Sequence, residues 1–590
     1  MPNADQRLEI GLISLPFLEP QVTCFPALLL GEIAAKTFSN VHCTTVHGHS
    51  EFALEFLQDP ATYSAYQRLT REPYLGDLCL IPLLAGTSDD VLAERAALLP
   101  DADINIEFAD ALMDAFANYV TKCALRLQPC KLVGITATHF QLVPSLIFAR
   151  ALKALGADAP KVVLGGYLSS PSIARALLDT HVSLDIVVFG EAEEAWPNAI
   201  RHCLDGAPRD VLIGGATKLD TVKPQVASVI EEFRGTWIGK YLQVTLEISR
   251  GCYWDKCDFC NFNAAYKSHF LRNDFDDILD EMDQLDRDHG QKGFVFLDTA
   301  IPPSFVKHLR KKDVRRDYQI FAEVRPDFSR SALEDFARLG ALKLQIGIES
   351  LVDSHLEMMV KNASVVDNVR SLLACKKLGI TVIWGVFVDH PKETTEHLNQ
   401  MLWRLQNWQH LPAPKYVTHC QLRPGSPLWL ERNNFGHQVT PTTRSFEHVL
   451  PQVDEALEFF PHVENRTNTS SEHAKLISEI EATVIQWRDA PVLPQIQRIE
   501  KPLWRDIIRT IEDQIISPEE VARALAQSGK RWTKLEIVAA MDQMEKENYL
   551  CATVRMRRKA PVKVFTPLHL IEDMLGADDK TPNIKTHAIA

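Results

Sequence analysis

The chain has no apolar run approaching the roughly 20 residues that cross a bilayer. Its first residues, Met1-Pro2-Asn3-Ala4-Asp5-Gln6-Arg7, hold no basic stretch leading into an apolar one. A membrane span and a secretory signal are therefore not expected, and the expected location is the cytoplasm. Surplus positive charge is also missing. The 63 Lys and Arg face 77 Asp and Glu, a net charge of −14 that argues against non-specific binding of nucleic acid. Twelve cysteines scattered over 590 residues do not make a disulfide framework. No GxGxxG follows any strand-like run, so a dinucleotide is a poor candidate ligand. One hydrophobic core does not suffice at this length, and about three or four domains are expected.

What the chain does have is one compact cysteine constellation. Ser249-Arg250-Gly251-Cys252-Tyr253-Trp254-Asp255-Lys256-Cys257-Asp258-Phe259-Cys260 spaces three cysteines as CxxxxCxxC. An iron-sulfur cluster usually takes four thiolates, so a triplet without a fourth Cys nearby suggests a cluster that keeps one iron for a small molecule. A structural zinc site is the alternative, but it needs a fourth ligand, and the nearest candidate is the lone His269. The other nine cysteines, such as Cys123 and Cys375, read as buried small hydrophobes.

The first third alternates strand-like and helix-like runs. Glu9 to Leu15, Val41 to Val46, Lys131 to Thr138, Lys161 to Gly166 and Asp185 to Phe189 are strands. After Thr138, Ile147, Ala151, Leu152 and Leu155 fall on one helical face, and Gly156 closes that helix. This order predicts a doubly wound parallel sheet with ligands at the carboxyl ends of its strands. The paired Gly165 and Gly166 allow close backbone approach there. Arg201 to Gly239, with Asp205-Gly206-Ala207-Pro208 and Gly214-Gly215, reads as a connection.

Tyr241 to Ile248 is the strand that delivers the cysteine loop. Further strands are predicted at Gly293 to Asp298, Gln319 to Val324, Leu342 to Ile348, Thr381 to Val388 and Tyr416 to Leu422. Helices are predicted between them at Phe275 to His289, Ser331 to Arg338 and Val365 to Leu378. Functional groups of such a strand-helix repeat come from the strands' carboxyl ends. We expect three domains, at 1–225, 226–445 and 446–590.

Ahead of the cysteine triplet, Gly134-Ile135-Thr136-Ala137-Thr138, Gly165-Gly166-Tyr167 and Gly190-Glu191-Ala192-Glu193 resemble the cobalamin-binding domain of cobalamin-dependent radical S-adenosylmethionine enzymes. The chain looks like their class B methyltransferases and is similar to maturases of ribosomally made peptides. The resemblance implies an open six-stranded barrel after the sheet, and a [4Fe-4S] cluster on Cys252, Cys257 and Cys260. S-adenosylmethionine would then occupy the fourth iron. It places Phe259 near the adenine, Asp298 and Thr299 at the methionine amino group, and Gln345 and Glu349 at the ribose or methionine carboxylate. A helix cap is the other reading of Glu349. Thr136, Thr138, Gly165, Gly166, Tyr167, Gly190 and Glu191 would line the cobalamin. The family binds cobalamin without a protein histidine on cobalt, in keeping with the missing DxHxxG, and His139 reads as a loop residue. Two departures stand out: the commoner spacing is CxxxCxxC, and GGE is absent at Asp298-Thr299. Asp389-His390-Pro391 and Arg423-Pro424-Gly425-Ser426-Pro427 resemble the fold's GFPGE and PGTP-like turns.

The activity implied is methyl transfer from S-adenosylmethionine through methylcobalamin to a carbon of a peptide or natural-product intermediate. An external reductase such as flavodoxin or ferredoxin would supply electrons. Radical cyclisation or rearrangement without methylation is the alternative within enzymes; an iron-sulfur sensor that binds nucleic acid is the alternative outside them. The last 140 or so residues read as helical and winged-helix-like. A helix starts at Ser517-Pro518-Glu519-Glu520, a second spans Thr533 to Glu547, and strands at Tyr549 to Val554 and Val562 to Phe565 flank a basic turn. The acidic chain favours peptide binding or domain packing for this unit over nucleic acid.

Overall fold

The computed structural model describes residues 7–57, 60–72, 75–99, 103–138, 141–166, 171–215, 219, 223–262, 270–423, 425–435, 438–441, 449–450, 462–465, 470–491, 499–512, 514–557, 560–569 and 574. The chain forms two compact units, one of Met1–Asp255, Phe259–Asp298 and Gln421–Asn465, the other of Lys256–Asp258, Thr299–Cys420 and Arg466–Ala590. Among the described residues, no helix is long and apolar enough to cross a membrane.

In the first unit, β1 (Leu8–Ser14), β2 (Val41–His47), β3 (Leu132–Ala137), β4 (Lys161–Gly166), β5 (Ile186–Phe189) and β6 (Asp210–Ile213) form one sheet in the order β2-β1-β3-β4-β5-β6. Every pairing is parallel. Strands covered on both faces need apolar residues at every position, which is why β3 is buried throughout and reads as a continuous run. The order reverses direction between β1 and β3, so their carboxyl ends border the crevice where such sheets take ligands. Two glycines of this sheet, Gly134 and the Gly166 expected beside a ligand, are required by the packing of the protein itself. A Cβ on Gly134 would lie 2.7 Å from the Trp196 ring, and one on Gly166 (φ +119) would lie 2.0 Å from the Ala137 carbonyl oxygen.

The structure corrects the expected connection at 201–239. Ala192–Leu204 is helical, β6 is the sixth strand of the sheet, and short helices follow at Ala227–Glu232 and Trp237–Lys240. β6 is an edge strand of four residues whose Ile213 is exposed, so it carries no apolar signature of burial. Among the described residues, five helices between Gly48 and Leu127 also separate β2 from β3. Among them Leu75–Ala85 is buried at nine of its eleven positions and has no polar face from which a helical period could be read.

Later in this unit, β7 (Val244–Leu246) pairs in parallel with β10 (Gly293–Phe296), and β8 (Ser249–Arg250) pairs antiparallel with β9 (Leu271–Arg272). The expected strand from Tyr241 is therefore shorter, because the Trp237–Lys240 helix leads directly into it. The Phe275–His289 helix has the predicted bounds. The Asp274 carboxylate accepts from the Asp276 and Asp277 amides at one end, and Gly290 is left-handed at the other.

In the second unit, β11 (Tyr318–Val324), β12 (Gly340–Ile346) and β13 (Thr381–Ile383) are parallel neighbours, while β14 (Gly385–Val388) pairs in parallel with β15 (Tyr416–His419). The single strand expected from Thr381 to Val388 breaks at Trp384, whose buried indole donates to the Pro412 carbonyl. Gly385 follows because a Cβ there would meet the Tyr416 ring at 2.2 Å. The strand expected to run to Leu422 is interrupted at Cys420: Tyr416–His419 pairs with β14, and Gln421–Leu422 is a separate two-residue strand.

Near the C-terminus, the helices Pro518–Gln527 and Lys534–Lys546 both begin with capping boxes, Ser517 with Glu520 and Thr533 with Glu536. An antiparallel hairpin, Leu550–Arg557 with Ala560–Pro567, completes the winged-helix-like unit. The hairpin is spent on protein contacts. Thr553 donates to Asp353 at 2.7 Å, and Arg555 pairs with Asp367 and donates to Ser364.

Candidate functional site

The cysteine loop leaves β8 through Gly251 (φ +87), and Cys252, Cys257 and Cys260 are each half-buried along it. Its root is tied to Asp298. The Ser249 hydroxyl donates to one oxygen at 2.5 Å and the Ile248 amide to the other at 2.9 Å. Burial pushes the Asp298 carboxyl up to about 7, with those two hydrogen bonds working the other way. The next residue, Thr299, has a buried hydroxyl without a hydrogen-bond partner. Within the loop, the Asp258 carboxylate pairs with Nε2 of His390 at 3.1 Å, and its amide donates to the Met359 carbonyl.

Arg250, two residues ahead of Cys252, gathers three carboxylates: Glu193 at 2.7 Å, Glu247 at 2.7 Å and Glu191 at 3.1 Å. All four side chains are largely buried. Burial opposes the charge of Arg250, yet Glu247 and Glu193 hold its guanidinium above its ordinary range. Glu191, expected beside cobalamin, thus sits on the arginine that precedes the cysteine loop.

Around Cys257 the charges are arranged differently. Lys361 is buried and donates to Glu349 at 2.8 Å. Burial works against its ammonium, but the Glu349 carboxylate and the Cys257 thiol raise its pKa. Nζ also lies against Gly347, where a Cβ would stand 2.8 Å from it. Glu349 has φ +58 and lies outside the next helix, Asp353–Met358, which Val352 caps. Gln345 is half-buried near the end of β12, opposite Glu323 of β11. Burial and then Glu349 push Glu323 up to about 7.

At the crevice of the N-terminal sheet, Thr136 is buried and Thr138 has a buried hydroxyl with no hydrogen-bond partner. Gly165 and Gly166 end β4, and Gly190 (φ +85) follows β5. These residues share the carboxyl edge of one sheet. Tyr167, His139 and His269 lie outside the described residues, and Phe259 is on the cysteine loop.

Two histidines at the end of β2 were not singled out from the sequence. His49 donates from Nε2 to the Val22 carbonyl at 2.9 Å and lies 2.6 Å from the Ser14 hydroxyl. His47 has a buried Nδ1 with no partner, and burial lowers its pKa to about 3. The spacing His47-Gly48-His49 directly after a strand was the available signal.

With this geometry in place, residues 246–403 match the radical SAM superfamily. This segment is a radical SAM domain. The anaerobic magnesium-protoporphyrin IX monomethyl ester cyclase of Rubrivivax gelatinosus is 24% identical over 338 residues, 52% of this chain and 59% of the cyclase. The chain thus spans less than two thirds of that relative. An uncharacterised methyltransferase of Pyrococcus horikoshii is 20% identical over 319 residues, half of this chain and 68% of the relative. Among solved structures, the cobalamin-dependent S-adenosylmethionine radical enzyme OxsB with aqua-cobalamin bound superposes with a TM-score of 0.53 at 12% identity, covering 92% of this chain and 79% of OxsB. The radical S-adenosylmethionine methyltransferase TsrM from Kitasatospora setae, with cobalamin and a [4Fe-4S] cluster bound, gives 0.50 at 12% identity, covering 92% and 99%. The radical SAM domain here therefore sits in a chain with the fold of those two enzymes.

Proposed function

We propose that the chain is a cobalamin-dependent radical S-adenosylmethionine methyltransferase acting on a carbon of a peptide or natural-product intermediate. The observation that carries this reading is the pairing, in one chain, of a three-cysteine radical SAM loop with an all-parallel sheet reversed between β1 and β3. The donors present fit the groups required. Three half-buried thiols on one loop suit a [4Fe-4S] cluster with a free iron. The orphaned hydroxyl of Thr138 at the sheet's ligand edge suits cobalamin, and that of Thr299 suits S-adenosylmethionine.

When bound, these groups supply a radical that takes hydrogen from carbon and a methyl carrier that replaces it. The chain's own side chains do the holding. Cys252, Cys257 and Cys260 bind iron, Asp298 ties down the start of their loop, His390 holds Asp258 within it, and Lys361 offsets negative charge at Cys257. Electrons come from an external reductase such as flavodoxin or ferredoxin.

A second reading, radical cyclisation without methyl transfer, is favoured by the 24% identical cyclase. Product analysis separates the two. Anaerobically purified protein, loaded with iron, sulfide and cobalamin and supplied with a reductant, should form both S-adenosylhomocysteine and 5′-deoxyadenosine with a methylated product. Deoxyadenosine without S-adenosylhomocysteine would instead support cyclisation.

A further inference from the structure

The turn after β14 concentrates ionisable side chains that the radical site does not use. Glu393 has no exposed side-chain surface. One of its oxygens, Oε1, lies 3.0 Å from Nε2 of His473, which is brought in by the Ser471–Asp489 helix. The other, Oε2, faces Nε2 of His355 at 3.1 Å, yet neither of these two buried atoms makes an aligned hydrogen bond. Asp389 has φ +64 and sets Oδ1 4.0 Å from the same Nε2 of His473, while its second oxygen pairs with Nδ1 of His419. A donor atom from each of Asp389, Glu393 and His473 thus lies within 4.8 Å of the other two.

Those spacings lie within a few tenths of an ångström of what a small cation imposes. An ion bound tetrahedrally at about 2.0–2.2 Å keeps its donors about 3.3–3.6 Å apart, and the 3.0 and 4.0 Å separations bracket that value. Oε1 of Glu393 also accepts from the Asp389 amide at 3.1 Å, which holds the two carboxylates of the turn in place beside His473. The surroundings are those of a metal site as well: Asp389 is backed by a second imidazole, that of His419, and His355, which faces Glu393, has Ser350 3.1 Å from its Nδ1.

We propose that Asp389, Glu393 and His473 bind one divalent transition-metal ion of the zinc class, separate from the iron of the cysteine loop. One imidazole and two carboxylates suit such an ion and leave a coordination position open. His390, in the same turn, holds Asp258 of the cysteine loop, so the ion stiffens the support of that loop.

The test uses the full chain with its cluster loaded, so that the loop cysteines are engaged, and zinc as the probe. Equilibrium dialysis followed by elemental analysis should find one zinc per chain in the parent. Glu393→Gln and the half-exposed Asp389→Asn should each lose it while keeping the parent's iron content and circular dichroism. His419→Ala, which removes only the outer support of Asp389, should weaken zinc binding about 10–100-fold. Zinc-edge X-ray absorption should show nitrogen and oxygen neighbours near about 2.0–2.1 Å. The proposal is overturned if the parent binds no zinc, if the variants bind as much as the parent, or if the spectrum shows sulfur at about 2.3 Å.

Discussion

The Lys361 ammonium lies 2.8 Å from the Glu349 carboxylate, alongside Gly347. This pair puts a fixed positive charge beside Cys257, at the end of a strand where the resemblance had led us to expect a contact to S-adenosylmethionine. Removing one member of a buried pair leaves the other uncompensated, at about 3–5 kcal/mol. Lys361→Met should destabilise the protein by that order, and Glu349→Gln in the same chain should restore part of the loss, both read from urea unfolding. Loss of the nearby positive charge should also make the cluster harder to reduce. Potentiometric titration followed by electron paramagnetic resonance should show a more negative midpoint for Lys361→Met; an unchanged or higher midpoint would separate Lys361 from the cluster.

Cys257→Ala tests the centre of the reading. With one of three thiolates gone, the cluster should be largely lost, and iron analysis with anaerobic turnover should show little iron and no 5′-deoxyadenosine. Full iron content and activity in this variant would falsify the assignment of the loop.

How much of this was legible varied with how local its cause is. The helices Phe275–His289 and Val365–Leu378 were readable to the residue because their ends are written next to them, Asp274 and Gly290 for one, Ser364 with Asp367 and Gly379 for the other. β3 and β4 were readable because burial on both faces makes an apolar run. The break at Trp384 was not, since the Pro412 carbonyl that its indole reaches lies 28 residues on, and the Tyr416 ring against Gly385 further still. The site follows the same rule. Three cysteines within nine residues announce themselves, whereas Lys361 with Glu349, His390 with Asp258 and Arg250 with Glu193 are pairs 12, 132 and 57 residues apart.

Thr138 has a buried hydroxyl that the protein alone leaves unsatisfied. Such a group costs about 1–3 kcal/mol, so replacing it with an isosteric methyl should not destabilise the ligand-free protein. Thr138→Val should therefore melt at or above the parent's temperature without cobalamin, yet gain less from added hydroxocobalamin. Thermal unfolding with and without the corrinoid reads both effects. Equal gains in parent and variant would remove Thr138 from the cobalamin site.

His47 and His49 give the N-terminal unit a pH dependence of definite sign. Burial lowers their pKa values to about 3 and about 4, from 6.5. Between those values and 6.5 the unfolded chain binds protons that the folded one refuses, so stability is full above pH 6.5 and declines as the pH falls towards 3. Each group contributes a slope of up to about 1.4 kcal/mol per pH unit. His47→Phe removes one titrating ring without leaving a partner unpaired, because Nδ1 of His47 has none. Urea unfolding from pH 7 to pH 4 should show a shallower decline in the variant, and parallel declines would place the protons elsewhere.

Arg250 carries the heaviest electrostatic burden in the first unit, with three largely buried carboxylates on one guanidinium. Three carboxylates face one guanidinium, and burial raises the pKa of Glu247 against the pull of Arg250, so the members are not equivalent under mutation. Arg250→Ala leaves Glu191, Glu193 and Glu247 together without a counter-charge and should cost at least the roughly 3–5 kcal/mol of a broken buried pair. Glu193→Gln moves the group towards balance and keeps a hydrogen-bond acceptor at the same place, so it should cost far less and should reduce the penalty of Arg250→Ala when combined with it. Arg250→Lys retains the charge but loses the fork that reaches Glu247 with two nitrogens and Glu191 and Glu193 with one of them, and should fall between the two. Urea unfolding of the three variants and the double mutant ranks them. If Glu193→Gln proved as costly as Arg250→Ala, excess negative charge would not be what Arg250 restrains, and its role would reduce to the geometry of the β8 strand that opens the cysteine loop.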